Sequence, residues 1–131
     1  MSERDSGILA DTSVWIEFFK QRSEIGSVLE TLILDNAVWV CGVVLFELMQ
    51  GVKSDQEKSL IKETLSNLEY AEMSNSLWHK AADLSASLKK KGVTVPLSDI
   101  FLAAVAIEHN LQIFTLDKHF EQIPGVKLYR P

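Results

Sequence analysis

Four acidic side chains stand at positions where chemistry could gather. Asp11 directly follows the apolar burst Ile8-Leu9-Ala10, and Asp117 lies just past Ile113-Phe114-Thr115. Asp99 opens the Ala- and Leu-dense stretch Ile100 to His109, while Glu47 sits inside Val43-Val44-Leu45-Phe46-Glu47-Leu48-Met49. A lone carboxylate buried among such neighbours costs several kcal/mol or has its pKa driven up, so Glu47 calls for compensation, and a cation is the economical answer. Carboxylates sharing a crevice also repel: two at ~5 Å cost roughly 3 kcal/mol at an effective dielectric near 20. A hard divalent cation relieves that repulsion, and oxygen-only ligands favour Mg²⁺ or Mn²⁺ over zinc. Zinc has no support, because Cys41 is the sole cysteine and the three histidines are far apart. Such an ion suits phosphodiester hydrolysis, lowering the pKa of a bound water and stabilising charge on the transition state. Ser13 and Thr115 are expected to support the ligands from behind. Each acid also has a plainer use: Asp11 or Asp99 as a helix cap, Asp117 in a turn, Glu47 facing solvent. Their joint placement where elements begin or end favours the cluster.

The elements that must position them alternate along the chain. After the strand Ile8–Ala10, Trp15, Ile16, Phe18 and Phe19 follow at helical spacing, with Thr12 or Ser13 as the cap. A helix is expected over Glu24–Leu34, ended by Asn36, and Val38–Cys41 reads as a buried strand. Val44, Leu45, Leu48 and Met49 suit a helix closed by Gly51. Ser54–Leu68 is amphipathic, with Leu60, Ile61, Leu65 and Leu68 on its inner stripe, and Tyr70–Met73 is a weaker strand. Ser74 or Asn75 caps a helix running to Lys91, whose core face holds Leu77, Trp78, Ala81, Ala82, Leu84, Ala86 and Leu88. Gly92 ends it, and a linker from Val93 to Leu97 leads to Asp99 and a helix buried nearly all round. Strands at Leu111–Phe114 and Val126–Tyr129 complete the pattern. The alternation implies an α/β fold with a mostly parallel sheet and helices on both faces, in which ligands collect beyond the carboxyl ends of the strands.

Composition bounds the class. In 131 residues, 47% are hydrophobic and 24% charged, a globular balance that excludes a disordered or low-complexity chain. One domain is expected over residues 1–131, with a polar tail at 1–6. A single cysteine favours a reducing compartment, no apolar run reaches the ~20 residues a bilayer needs, and no signal peptide is evident. A cytoplasmic location is therefore expected, with no membrane partner. The net charge of −5 argues against coating nucleic acid by bulk electrostatics but leaves room for a nuclease with a few local cations.

The motifs Asp11-Thr12-Ser13, Glu47-Leu48 followed by Gly51, Asp99-Ile100-Phe101-Leu102-Ala103-Ala104 and Thr115-Leu116-Asp117-Lys118-His119-Phe120, in that order, resemble the PIN-domain ribonucleases. The likeness is strongest to VapC-type toxins of type II toxin–antitoxin modules. It covers essentially the whole chain. The resemblance implies a three-layer α/β/α sandwich around a central parallel sheet. It maps the family's acidic quartet onto Asp11, Glu47, Asp99 and Asp117, binding Mg²⁺ or Mn²⁺ for RNA cleavage. It further implies tRNA or ribosomal RNA as substrate, a homodimer, and a VapB-type antitoxin whose tail lies over the active-site groove, the complex binding its own operator DNA. The chain departs from the pattern in offering no hydroxyl between Gly42 and Leu45 and in placing His119 where some relatives have an acid or amide.

Among the remaining residues, Lys118, Lys20 and Arg22 are candidates to touch the RNA backbone. Lys89-Lys90-Lys91 reads as a solvated run favouring a helix C-terminus. His119 is a candidate proton carrier. Trp15, Trp39 and Trp78 are expected in the core, and Trp15, Phe18 and Phe19 could instead line a groove for a partner. Two other functions compete: a housekeeping PIN nuclease of RNA processing, and a catalytically silent metal-binding module. A receiver-like module or an Asp-x-Asp phosphatase would need a second acid beside Asp11, and Thr12 and Ser13 occupy those places.

Overall fold

The computed structural model describes residues 7–21 and 23–131; the expected polar tail and Arg22 lie outside the described residues. The strands are β1 (Ile8–Ala10), β2 (Val38–Cys41), β3 (Glu69–Ala71), β4 (Gln112–Phe114) and β5 (Lys127–Leu128). The helices are α1 (Thr12–Lys20), α2 (Glu24–Leu34), α3 (Gly42–Gln50), α4 (Asp55–Ser66), α5 (Asn75–Lys90) and α6 (Leu97–Glu108), and a 3₁₀ turn spans Lys118–Gln122. The five strands form one sheet in the order β3-β2-β1-β4-β5, and every pairing is parallel. The chain steps outward from β1 to β3, then crosses back to the other side of β1. That reversal opens a crevice between β1 and β4 at their carboxyl ends.

β1 shows why the sheet is covered on both faces. Neighbouring strand residues point to opposite sides, yet Ile8, Leu9 and Ala10 are all buried. Its register against β4 sets Leu9 opposite Ile113 and Ala10 opposite Phe114. Asp11 N–H then donates to Phe114 O at 2.9 Å, tying the exit of β1 to the exit of β4.

Helix boundaries carry one correction and sharpen two expectations. The cap of α1 is Asp11, not Thr12 or Ser13: its carboxylate accepts from Thr12 N–H, one residue earlier than the hydroxyl reading placed it. Gly51 does close α3, but at φ −91°, so it supplies no left-handed turn. Those turns fall to Asn36 at φ 56° and Gly92 at φ 73°. Ser74 rather than Asn75 caps α5, accepting from Leu77 N–H.

On α5, Leu77, Ala81 and Leu88 are buried, whereas Ala82 and Ala86 are exposed. Trp78 is 49% exposed instead of sitting in the core, its ring edge-on to Phe101 at 5.0 Å. On α4, Leu60 is likewise exposed while Ile61 and Leu65 are buried. Trp15 is fully buried, stacked on Phe19 at 5.8 Å. Among the described residues no helix is long and apolar enough to cross a membrane.

Candidate active site

Asp11 leaves the central strand with an extended backbone and turns at once into α1. Both of its carboxylate oxygens are held. Oδ1 accepts from Thr12 N–H at 2.7 Å, and Oδ2 accepts from the hydroxyls of Ser13 at 2.9 Å and Thr115 at 2.8 Å. Ser13 in turn accepts from Leu116 N–H at 3.2 Å, and Thr115 accepts from Asp117 N–H at 3.0 Å. The two expected supporting hydroxyls therefore meet on one carboxylate oxygen from elements more than a hundred residues apart.

Asp99 lies in the first turn of α6, where the helix dipole favours an anion. Its side chain is not spent on capping, because the cap residue is Pro96 and makes no side-chain hydrogen bond. Instead Asp99 Oδ2 lies 3.0 Å from His119 Nδ1. With Asp99 ionised, that oxygen can only accept, which places the ring proton on Nδ1.

Glu47 corrects an expectation. It is half-buried rather than sealed, and the Thr12 hydroxyl donates to its Oε1 at 2.7 Å. The hydroxyl missing from Gly42 to Leu45 is thus delivered from α1. Thr12 thus does more than the capping its hydroxyl suggests, and the signal for it is the run of three hydrogen-bonding side chains at Asp11-Thr12-Ser13. Asp117 is exposed and heads the 3₁₀ turn without a side-chain cap bond, leaving its carboxylate free of that task.

Asp11 and Asp99, 6% and 7% exposed, are the buried charged residues among those described. Burial pushes the Asp11 carboxyl above the ordinary range, against the pull of Thr115, Ser13 and the Thr12 amide, and Asp117 adds repulsion. Burial likewise raises Asp99, opposed by the His119 hydrogen bond, with further repulsion from Asp11 and Asp117. Burial raises the Cys41 thiol too, helped by Glu47 and Asp11. Asp11, Asp99 and Asp117 thus lie near enough to feel one another's charge, while Glu47 is linked to Asp11 through Thr12, which donates to both side chains.

Among the described residues, no group of three or more His, Cys, Asp or Glu side chains stands ready to enclose an ion. The donor chemistry still fits a small hard cation, since Mg²⁺ keeps several waters and needs only one or two carboxylates from the protein. Asp11 and Asp99, the two buried carboxylates, are the residues that could supply them.

Of the expected RNA contacts, Lys118 is exposed beside Asp117. Lys20 is exposed and paired with Glu17 at 3.1 Å. It borders a groove of about 400 Å³ that runs from Thr12 and Glu47 past Ile16, Phe19 and Leu60. Phe19, but not the buried Trp15, therefore reaches a groove.

Comparison with known proteins follows the same lines. The PIN domain family model matches residues 8–126. Ribonuclease VapC2 of Rickettsia felis is 31% identical over 105 residues, covering 76% of this chain and 78% of that protein. Ribonuclease VapC1 of Methanocaldococcus jannaschii is 27% identical over 134 residues, covering 98% and 91%. Among solved structures, VapBC2 from Rickettsia felis bound to a DNA fragment from its promoter superposes with a TM-score of 0.76 at 25% identity, covering 93% of this chain and 96% of that one. DNA-bound VapBC from Salmonella typhimurium reaches 0.83 at 24% identity, covering 95% and 97%, a likeness of fold. With its all-parallel sheet and its acids beyond the ends of β1 and β4, the chain belongs to the PIN-domain family, among the VapC ribonucleases.

Proposed function

We propose that the chain is a Mg²⁺- or Mn²⁺-dependent endoribonuclease that hydrolyses phosphodiester bonds of tRNA or ribosomal RNA, acting as the toxin of a toxin–antitoxin pair. The observation that carries the metal dependence is the pair Asp11 and Asp99. Two nearly sealed carboxylates repel each other, and among the described residues neither is paired with a lysine or arginine; Asp99 meets the half-exposed imidazole of His119. A protein that held no divalent ion there would gain by losing one of the charges.

Asp11 and Asp99 would hold the ion directly, with Glu47 and Asp117 acting at the edge of its shell. When bound, the ion supplies Lewis-acid stabilisation of charge developing on the phosphodiester. Thr12, Ser13 and Thr115 keep the carboxylates aimed, and Lys118 offers a charge to the RNA backbone beside Asp117. The antitoxin reading draws support from the toxin–antitoxin complexes among the structural neighbours and from the groove that starts at Glu47 and is lined by Ile16, Leu48, Val52 and Ile61. An antitoxin tail seated there would cover the acidic site, and operator DNA would be reached through that complex. A homodimer draws support from the exposed Phe46, Trp78 and Leu97, which line one groove with Met73 and Phe101, since contiguous exposed apolar side chains mark interaction surfaces.

Purified protein with bulk RNA is expected to generate new 5′ ends with Mg²⁺ or Mn²⁺, and none in EDTA. Asp11→Asn and Asp99→Asn should abolish cleavage and relieve growth arrest on induction, with the fold intact. Cleavage by both variants at the wild-type rate would remove the assigned site. Cleavage of the wild type in EDTA would remove the metal.

A further inference from the structure

Alternate residues of the segment after β4 serve the acidic site. Thr115 donates to Asp11 at 2.8 Å, Asp117 bears electrostatically on both Asp11 and Asp99, and His119 Nδ1 lies 3.0 Å from Asp99 Oδ2. The intervening Leu116 and Lys118 are exposed. Phe120 and Ile123, 1% and 3% exposed, anchor the turn beneath them. His119 is thus delivered by a segment whose end is fixed in the core.

The two buried carboxylates are secured very differently. Asp11 takes three hydrogen bonds, two of them from its own helix start. Among the described residues Asp99 takes one, and His119 gives it. Asp99 Oδ1 receives no hydrogen bond, yet it is not a sealed orphan: among the described residues that status belongs to Trp15 Nε1. Oδ1 therefore keeps a free acceptor that is not fully sealed, while Oδ2 is tied back to His119.

We propose that His119 is the positioning residue of Asp99, its ring N–H holding one carboxylate oxygen so that the other is presented to the divalent cation. The inference rests on the metal-dependent reading above. Groups that orient a ligand carboxylate typically change metal affinity 10- to 100-fold when removed. His119 keeps nearly half its side chain in solvent, so its loss leaves little cavity, and its effect belongs to the metal rather than to the fold.

Mn²⁺ binding to the purified protein, followed by electron paramagnetic resonance, tests this with wild type, His119→Ala and His119→Asn. Asparagine keeps an N–H donor close to the place of Nδ1. His119→Ala is expected to bind Mn²⁺ on the order of tenfold more weakly or worse, and His119→Asn to recover most of the loss. In EDTA, His119→Asn should melt with the wild type and His119→Ala somewhat below it, all three unfolding in one cooperative transition well above the assay temperature, so that Mn²⁺ affinity is read on folded protein. RNA cleavage by His119→Ala should fall at limiting Mn²⁺ and return at saturating Mn²⁺. Equal Mn²⁺ affinity in His119→Ala and wild type would overturn the positioning role while leaving the metal reading in place. Equally weak binding by the Ala and Asn variants would overturn it too, since the donor would then not matter. Absence of Mn²⁺ binding by the wild type at millimolar metal would overturn the metal reading first, and this inference with it.

Discussion

Thr12 joins two acids with one residue. Its backbone N–H donates to Asp11 Oδ1 and its hydroxyl to Glu47 Oε1, each at 2.7 Å. Glu47 extends from α3 with exposed Phe46 before it and buried Leu48 after it, so nothing but that hydroxyl fixes its direction among the hydrogen bonds described. Thr12→Val preserves shape and the backbone donor while deleting the hydroxyl. We expect RNA cleavage at fixed Mg²⁺ to fall by about one to two orders of magnitude, as when an orienting partner is lost. Thr12→Ser should stay near wild type. Stability should change by no more than about 3 kcal/mol, the upper worth of a single hydrogen bond to a carboxylate. Wild-type cleavage by Thr12→Val would show that Glu47 needs no such guide.

Helix α1 begins at the site, so whatever seats α1 seats Asp11. Its main brace is α2, and the approach is close at Gly26. A Cβ there would come 2.8 Å from Glu17 O and 3.0 Å from Phe18 Cα, both backbone atoms that cannot swing aside. Gly26→Ala must push the helices apart, and overpacking of this kind costs about 1–3 kcal/mol. A urea titration should show the midpoint lowered by that free energy divided by the m value, about 0.5–2 M, with cleavage reduced because the start of α1 moves. An unchanged midpoint would mean that the pair slides freely. Elements of this kind were largely legible in the sequence: α2 occupies Glu24–Leu34 and β2 occupies Val38–Cys41 as periodicity and β-branching required. The errors fall where side-chain type leaves a face undecided. Alanine suits either side of a helix, which is why Ala82 and Ala86 read as core, and Trp78, next to buried Leu77, sits at the edge of the stripe. The four acids were legible because each marks the end or the interior of an apolar segment. The particular hydroxyl each would meet was not. Thr12 meets Glu47 across 35 residues and Thr115 meets Asp11 across 104, and only strand order and register, which no local pattern encodes, bring such pairs together.

At the scale of the whole molecule, the buried pair sets how stability answers to pH and metal. A carboxyl whose folded-state pKa lies above its unfolded one binds more protons in the folded protein. Its contribution to stability is therefore complete below the unfolded value and is lost as pH climbs through the folded value. Asp11 and Asp99 both shift that way, chiefly through burial, whereas Glu108, lowered by its bond to Lys80, shifts the other way. Comparison with a variant isolates the pair from such opposing groups. In EDTA, the wild type should lose stability relative to Asp99→Asn as pH rises from about 4, the unfolded carboxylate value, toward neutrality. The variant should be the more stable protein at pH 7. Mg²⁺ should reverse that order, because an ion held only by the folded state adds stability by mass action, about 2.7 kcal/mol at a hundredfold excess over its Kd. The rise in melting temperature on adding Mg²⁺ should be larger at pH 7.5 than at pH 5, where protons compete for the same oxygens, and it should be small in Asp99→Asn. Melting curves with and without Mg²⁺ at the two pH values decide the matter. An equal rise in wild type and Asp99→Asn would place the ion somewhere other than between these carboxylates.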